Sequence, residues 1–389
     1  MRIEVGLDVT GFESASRVTE DHRAVMKNYA SPLLSGPPPS EDLLEMIVHM
    51  FTEEEAAIVR HLPPLRPRTA EKVAIKAGVT PADARRVLDH LAFTKHLILA
   101  AGSPRKYSIL PVVPGTFEMA LMTPDISTRN AWHKKFAQLF ERVFETGFLK
   151  DYPGSKALVR YLPVQAVSNT LQKAWPSDYL EEILDRYDFF AVGNCQCRLA
   201  MHYNDRGCDK PLFACSSFGP MAKPVVARGL FKEVSKAELI AIKKDAEEHG
   251  CVSWMMNAAG DPRGDGSCSC CGCCCHALRM VSEFSVPGLI ATPHFMPDRD
   301  DALCNECGLC VKRCPMSAWF KVEKKVRFNA TRCIGCGLCV TACKQKALTL
   351  HPVDEARKPE SSYLSLLTKM LPGFTKNSVA VFAKRLFQR

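Results

Sequence analysis

Apolar residues recur along this chain with two periods, and the changes of period mark its elements. In NAWHKKFAQLFERVFETGFL (residues 130–149), Trp132, Phe136, Leu139, Phe140, Val143 and Phe144 fall on one helical stripe, which a globular chain buries as core. Nearer the N-terminus, TAEKVAIKAG predicts a short helix capped by Thr69 and ended by Gly78, and Thr80 with Pro81 opens a longer one. Leu97 to Ala101 and Lys106 to Leu110, joined by GSPR, predict a two-stranded hairpin. The apolar run Phe189 to Val192 predicts a buried strand. SKAELIAIKKDAEEHG predicts a helix with a capping box, Ser235 with Glu238, and a stop at Gly250. Near the C-terminus, Val379, Phe382 and Leu386 recur at helical spacing beside Lys384 and Arg385. SPLLSGPPPSED reads as a linker after the first thirty residues.

Composition changes this picture through cysteine. The 389 residues are enough for two or three domains with cores of their own, so the chain is not a small scaffold that needs disulfides. It carries 19 cysteines, an odd number, and none precedes Cys195. The N-terminal stretch MRIEVGLDVTGFES lacks a basic and then apolar leader pattern, and no run approaches the ~18 apolar residues of a spanning helix. The expectation is a cytoplasmic chain with reduced thiols, in which clustered cysteines are metal or redox sites.

Residues 304–315 read CNECGLCVKRCP and residues 333–344 read CIGCGLCVTACK. Both follow C-x2-C-x2-C-x3-C, and the second repeats the first 29 residues later. Three cysteines so spaced wrap one face of a [4Fe–4S] cubane, and the fourth points away to the other cluster. Cys304, Cys307, Cys310 and Cys343 are thereby assigned to one cluster, and Cys333, Cys336, Cys339 and Cys314 to a second. Gly308 and Gly337 suit close passage of the chain past inorganic sulfide. Zinc sites would favour two CxxC pairs with tetrahedral geometry, which a doubled eleven-residue motif does not suggest. Residues 296–352 resemble the bacterial two-[4Fe–4S] ferredoxin family. Pro315 follows the first motif as in that family, whereas Lys344 takes the place of proline in the second. The resemblance implies a more exposed, differently poised cluster where Cys343 is a ligand.

Two further groups lie between. In FFAVGNCQCRLAMHYNDRGCDKPLFACSSF, the predicted strand delivers Cys195 and Cys197, and Cys208 and Cys215 follow. Four cysteines meet the needs of a third cubane, with Arg198 and Lys210 placed to offset its negative charge; the alternative is a set of ordinary buried thiols. GSCSCCGCCCHALR packs Cys268, Cys270, Cys271, Cys273, Cys274 and Cys275 into eight positions. Disulfides are a poor use of adjacent cysteines. A fourth cubane could take Cys268, Cys271 and Cys274, or draw on Cys270, Cys273 and Cys275. An exchange of ligands between the two central groups is equally open. His276 is read as an ordinary histidine and Cys251 as a structural thiol. The helix of residues 236–248 is expected to clamp both groups into one compact site. The combination of CQCR, GCDKP and CSCCGCCC ahead of the doubled motif resembles a family of poorly characterised 4Fe–4S proteins of anaerobic bacteria, over residues 41–352. That resemblance implies electron transfer without oxygen and no particular substrate.

The formal charge of +9 counts every cysteine as neutral. Four cubanes at about −2 each would bring it to roughly +1. Basicity is therefore poor evidence for nucleic acid. The helix, helix and hairpin of residues 41–110 resemble a winged helix–turn–helix domain, yet that segment holds ten Lys/Arg against nine Asp/Glu. Arg85 and Arg86 are countered by Asp83 and Asp89, with Arg105 and Lys106 on the hairpin, so protein docking is preferred to DNA reading.

The expected fold is α+β and multidomain. An arm and linker (1–40) lead to the winged-helix-like domain (41–110) and a helical connector (111–190). An α/β central cysteine-rich domain (191–295), the ferredoxin-like module (296–352) and a basic amphipathic tail (353–389) follow. The tail either packs on the body or serves an acidic partner or the inner face of a membrane. No flavin or dinucleotide fingerprint, P-loop or catalytic nucleophile is evident. The expected function is an electron-transfer subunit serving a partner oxidoreductase. The alternatives are a redox- or oxygen-sensing DNA-binding regulator and, more weakly, a catalyst at the 268–275 loop.

Overall fold

The structure is a computed structural model that describes residues 11–152, 159–162, 180–258, 261–284, 290–353 and 358–387. The chain divides into two compact units, one of residues 1–152 with 199–207 and 374–389, the other of 153–198 with 208–373. The division falls inside the stretch read as a helical connector.

The first unit is mainly helical. Its helices are α1 (Glu20–Tyr29), α2 (Glu41–Met50), α3 (Glu53–Val59), α4 (Ala70–Ala77), α5 (Pro81–Phe93), α6 (Phe117–Leu121) and α7 (Ala131–Glu145). Between α5 and α6 the hairpin β1 (Ile98–Ala101) and β2 (Lys106–Ile109) pairs Ile98 with Ile109, both buried. Thr80 caps α5 by accepting from the Asp83 N–H, with Pro81 in its first turn. Thr69 occupies the cap position of α4 without a capping hydrogen bond; its hydroxyl is engaged by Glu71 instead. The six apolar residues of the α7 stripe are all buried. Residues 31–40, read from composition as a linker, are tightly held. Leu34 is buried, and a Cβ on Gly36 would lie 2.0 Å from the Tyr29 carbonyl oxygen.

The second unit is built on a six-stranded sheet in the order β3-β7-β8-β5-β4-β6. The strands are β3 (Val159–Leu162), β4 (Phe190–Asn194), β5 (Phe213–Phe218), β6 (Lys232–Val234), β7 (Val252–Met256) and β8 (Asp265–Cys270). Every pairing in it is antiparallel, so the α/β expectation for the central region is corrected to α+β. Neighbouring strands β4 and β5, and β7 and β8, run as antiparallel pairs and need no parallel crossover. One strand, β3, comes from the stretch expected to be a helical connector.

Along this stretch of chain lie α8 (Leu180–Leu184), α9 (Gln196–Tyr203), whose residues from Leu199 count with the first unit, α10 (Lys223–Ala227) and α11 (Lys236–Glu248). The capping box of α11 is formed as expected, and Gly250 takes a φ of +81° just beyond its end. Leu239 packs with Phe190, Val192, Phe218 and Met255 in the core under the sheet. After α12 (His276–Ser282), strand β9 (Phe295–Arg299) pairs antiparallel with β12 (Leu348–Pro352). These two strands enclose the repeated motifs. Each motif contributes a short helix, α13 (Leu309–Arg313) or α14 (Leu338–Ala342), and the hairpin β10 (Trp319–Val322) with β11 (Lys325–Phe328) joins them. Helix α15 (Tyr363–Phe387) closes the chain, and its residues from Phe374 count with the first unit.

Candidate metal centre

The internal repeat is visible as two matched cavities. Cys304, Cys307, Cys310 and Cys343 line one, and Cys314, Cys333, Cys336 and Cys339 line the other. Each cavity takes three cysteines from one motif and the fourth from the other. Gly308 and Gly337 stand at the N-caps of α13 and α14 with φ of +80° and +76°, a conformation that disfavours a side chain. Trp319, Val326 and Leu348 form an apolar core with Cys310, Cys314, Cys339 and Cys343, which joins the two cavities through one body of side chains. Pro315 lines the second cavity. The first set includes the exposed Cys307, while the second includes the buried Cys339. Burial pushes the Cys333 thiol up to about 11 and Cys339 to about 12, so ligation here must expel protons.

The ten central cysteines are sorted differently from their order along the chain. Cys208 stands apart from Cys195, Cys197 and Cys215 and joins Cys271, Cys273 and Cys274, whose four sulfurs all lie within 4.8 Å of one another. The other six form a closed ring. Cys195 touches Cys197 and Cys215; Cys268 touches Cys215, at 3.3 Å, and Cys270; Cys275 touches Cys197 and Cys270. The four-thiol grouping of Cys195, Cys197, Cys208 and Cys215 is thus replaced by an exchange between the two central groups.

Local structure explains the sorting. On β8, Cys268 and Cys270 are two residues apart and share a face. Ser267 and Ser269 take the other face, where the buried Lys243 of α11 bonds both hydroxyls at 3.0 and 3.3 Å. Beyond β8 the chain turns sharply, with the Cys275 N–H donating to the Cys271 carbonyl at 3.1 Å. Cys271, Cys273 and Cys274 lie within this turn, and Cys275 returns to the ring as the N-cap residue of α12. Gly272 is required here, since a Cβ would lie 2.3 Å from the Pro315 carbonyl oxygen. Cys195 and Cys197 flank the start of α9, and Cys215 lies opposite Gly193 on β5.

The six ring thiols perturb one another strongly. Hydrogen bonds from Cys197 and Cys215 hold Cys195 well below the usual thiol range, those from Cys215 and Cys270 bring Cys268 to about 5, and those from Cys197 and Cys270 lower Cys275. Cys197 and Cys215 are raised by donating to these neighbours, and Cys270 chiefly by burial. Arg198 is fully buried; its Nη2 donates to the Ser269 carbonyl and to Cys251 Sγ at 3.5 Å, and its charge faces Cys195 and Cys271. Its Nε and Nη1 are buried without a nitrogen or oxygen partner, as is the Tyr161 hydroxyl beside Cys268, Cys270, Cys275 and Cys336. Orphaned donors pointed at thiolates fit an anionic iron–sulfur group.

The Lys210 ammonium bonds the His249 carbonyl at 2.6 Å, and only its backbone N–H serves Cys208. Cys251 is a buried thiol, pushed up to about 12 by burial. His276 is buried. Lys243 and Tyr161 were not singled out from sequence. A signal existed for Lys243, which shares the buried face of α11 with Leu239 and Ala246 at helical spacing.

Residues 296–344 match the family model of the 4Fe-4S dicluster domain, which makes this segment an iron–sulfur module of the two-cluster class. No curated protein and no solved structure matches the chain. Among the described residues, no helix is long and apolar enough to cross a membrane.

Proposed function

We propose that this chain is an electron-transfer subunit that relays electrons between its dicluster module and the central six-thiol ring on behalf of a partner oxidoreductase. The observation that carries this is a shared core. Tyr161, Cys270 and Cys275 pack in one apolar cluster with Met316, Ile334 and Leu338, and Cys268, Cys314 and Cys336 pack against it. The ring and the second ferredoxin-type set thus lie against the same few side chains, and the two ferredoxin-type sets share the core around Trp319. Bound iron–sulfur clusters supply one-electron chemistry at low cost in reorganisation. The chain's own residues exclude water, hold the sulfurs and offset their charge. Arg313 adds rigidity by donating to the carbonyls of Glu247, at 2.9 Å, and Glu248, which ends α11 against the module.

Anaerobic metabolism is the setting that exposed thiolate clusters favour, and the cytoplasm is the compartment that keeps them reduced. The helices and hairpin of residues 41–110 follow the order of a winged helix, and their proposed use is to dock a redox partner. Support comes from self-pairing: Arg85 bonds Glu71, Arg86 bonds Glu54, and Arg105 bonds Asp89 at 2.9 Å. The test is metal analysis. Protein purified without oxygen should carry at least about twelve iron atoms, eight for the two cubanes and four or more for the ring. A reproducible value near eight with both ferredoxin-type EPR signals present would leave the ring without iron and overturn the relay.

A further inference from the structure

We propose that Cys208, Cys271, Cys273 and Cys274 hold a single tetrahedral metal ion, zinc or one iron, instead of a cubane. The sulfur separations carry it. Cys208 Sγ lies 3.8 Å from Cys271 Sγ and 3.6 Å from Cys274 Sγ, and Cys273 Sγ lies 3.7 Å from Cys274 Sγ. A metal–sulfur bond of about 2.3 Å gives a tetrahedron edge about 1.63 times longer, roughly 3.8 Å. The four thiols therefore already outline the coordination shell of one ion. A cubane places each thiolate on a different iron of a four-iron body, which needs wider spacing.

The same chain provides the contrast. Among the described residues, this is the one group in which three or more such ligand atoms draw together within 4.8 Å; the ferredoxin-type cysteines line two small pockets and do not converge in this way. The donor set is also chemically suited, since four thiolates in tetrahedral array select zinc or iron. The ion would tie the turn at 271–274 to Cys208, 63 residues earlier, just where Gly272 lies against Pro315 of the dicluster module. Its role is that of a clamp that fixes the loop between the ring and the module.

The inference rests on the metal-holding reading of these thiols and not on the electron route. Full-length protein purified without oxygen should contain one zinc, or one iron without matching sulfide, beyond its cluster complement. Cys273→Ser alters the exposed member of the set and should lose that one equivalent while all cluster EPR signals persist. Should the variant fail to fold, X-ray absorption on the unaltered protein decides: four sulfurs at about 2.3 Å with no neighbouring metal support the single ion. If that ion is iron, the signature is a lone high-spin ferric tetrathiolate in visible and EPR spectra. Loss of about four irons with four sulfides in Cys273→Ser, unchanged metal content in that variant, or metal–metal scattering at this site overturns the proposal. Reduction of the dicluster module, the readout for electron transfer, is unaffected by any of these results.

Discussion

At the scale of single residues, the central site is governed by one buried guanidinium. Arg198 has no solvent exposure and faces thiolates on both the ring and the four-thiol set. Replacing it by Met would leave the ring's negative charge without that partner, so adding an electron there becomes harder. A charge about 6 Å away at an effective dielectric constant near 20 is worth roughly 3 kcal/mol, on the order of 100 mV for a one-electron couple. Arg198→Met should therefore shift the central potential negative by about that much in an EPR-monitored titration, with the ferredoxin-type potentials unchanged. Arg198→Lys should recover much of the shift. Equal shifts at all centres, or none at the ring, would show that the guanidinium acts only in packing.

At the scale of elements, two neutral histidines fix α7 of the first unit, His49 by tying it to α2 and His133 by holding the residues that lead into it. His49 Nε2 bonds the Trp132 carbonyl at 2.9 Å, and burial lowers its pKa to about 4. Arg129 Nη1 donates to His133 Nε2 at 2.9 Å, and burial followed by the Arg129 charge lowers that group to about 2. Both titrate near 6.5 when unfolded. The unfolded chain thus takes up protons below ~6.5 that the folded unit refuses, so stability is full above that pH and falls as pH drops, down to about 4 for His49 and about 2 for His133. The loss for His49 is on the order of 3 kcal/mol by pH 4. Denaturant unfolding of the full chain followed by tryptophan emission should show this slope, and His133→Gln should flatten it. A profile level between pH 7 and 4 would contradict the neutral pairing. Elements of this kind were legible in the sequence because their signals are local: a stripe at 3.6-residue spacing for α7, Ser235 and Glu238 for α11, and a 29-residue offset for the dicluster repeat. The sorting of Cys268 to Cys275 was not. It depends on where strand β8 gives way to a turn, and six adjacent thiols mask the alternation that separates 268 and 270 from 271, 273 and 274. The antiparallel sheet was equally hidden, because β3 pairs with β7 from Val159 opposite Met256 to Leu162 opposite Ser253, across a long separation in sequence that no local pattern reports.

At the scale of the whole molecule, the N-terminal unit spends its hairpin and α5 arginines on its own acids. Arg86→Ala with Arg105→Ala should consequently leave binding of duplex DNA at physiological salt as weak and unselective as in the parent. Nanomolar, sequence-selective binding that the double change abolishes would make the chain a regulator. The C-terminal helix presents a mixed character: Lys384 pairs with Asp151 at 2.8 Å and Arg385 bonds the Ala30 carbonyl at 2.6 Å, while Val379, Phe382 and Leu386 stay exposed. Interleaving of the two central thiol sets has a consequence in time. The four-thiol set is complete once Cys274 has left the ribosome and the ring only one residue later, so six thiols in one short stretch become available to metal almost together. Capture of one ion by Cys208, Cys271, Cys273 and Cys274 would withdraw three of the six from the contest and leave Cys268, Cys270 and Cys275 to meet Cys195, Cys197 and Cys215. On that view the order of loading would decide which partners the ring cysteines find.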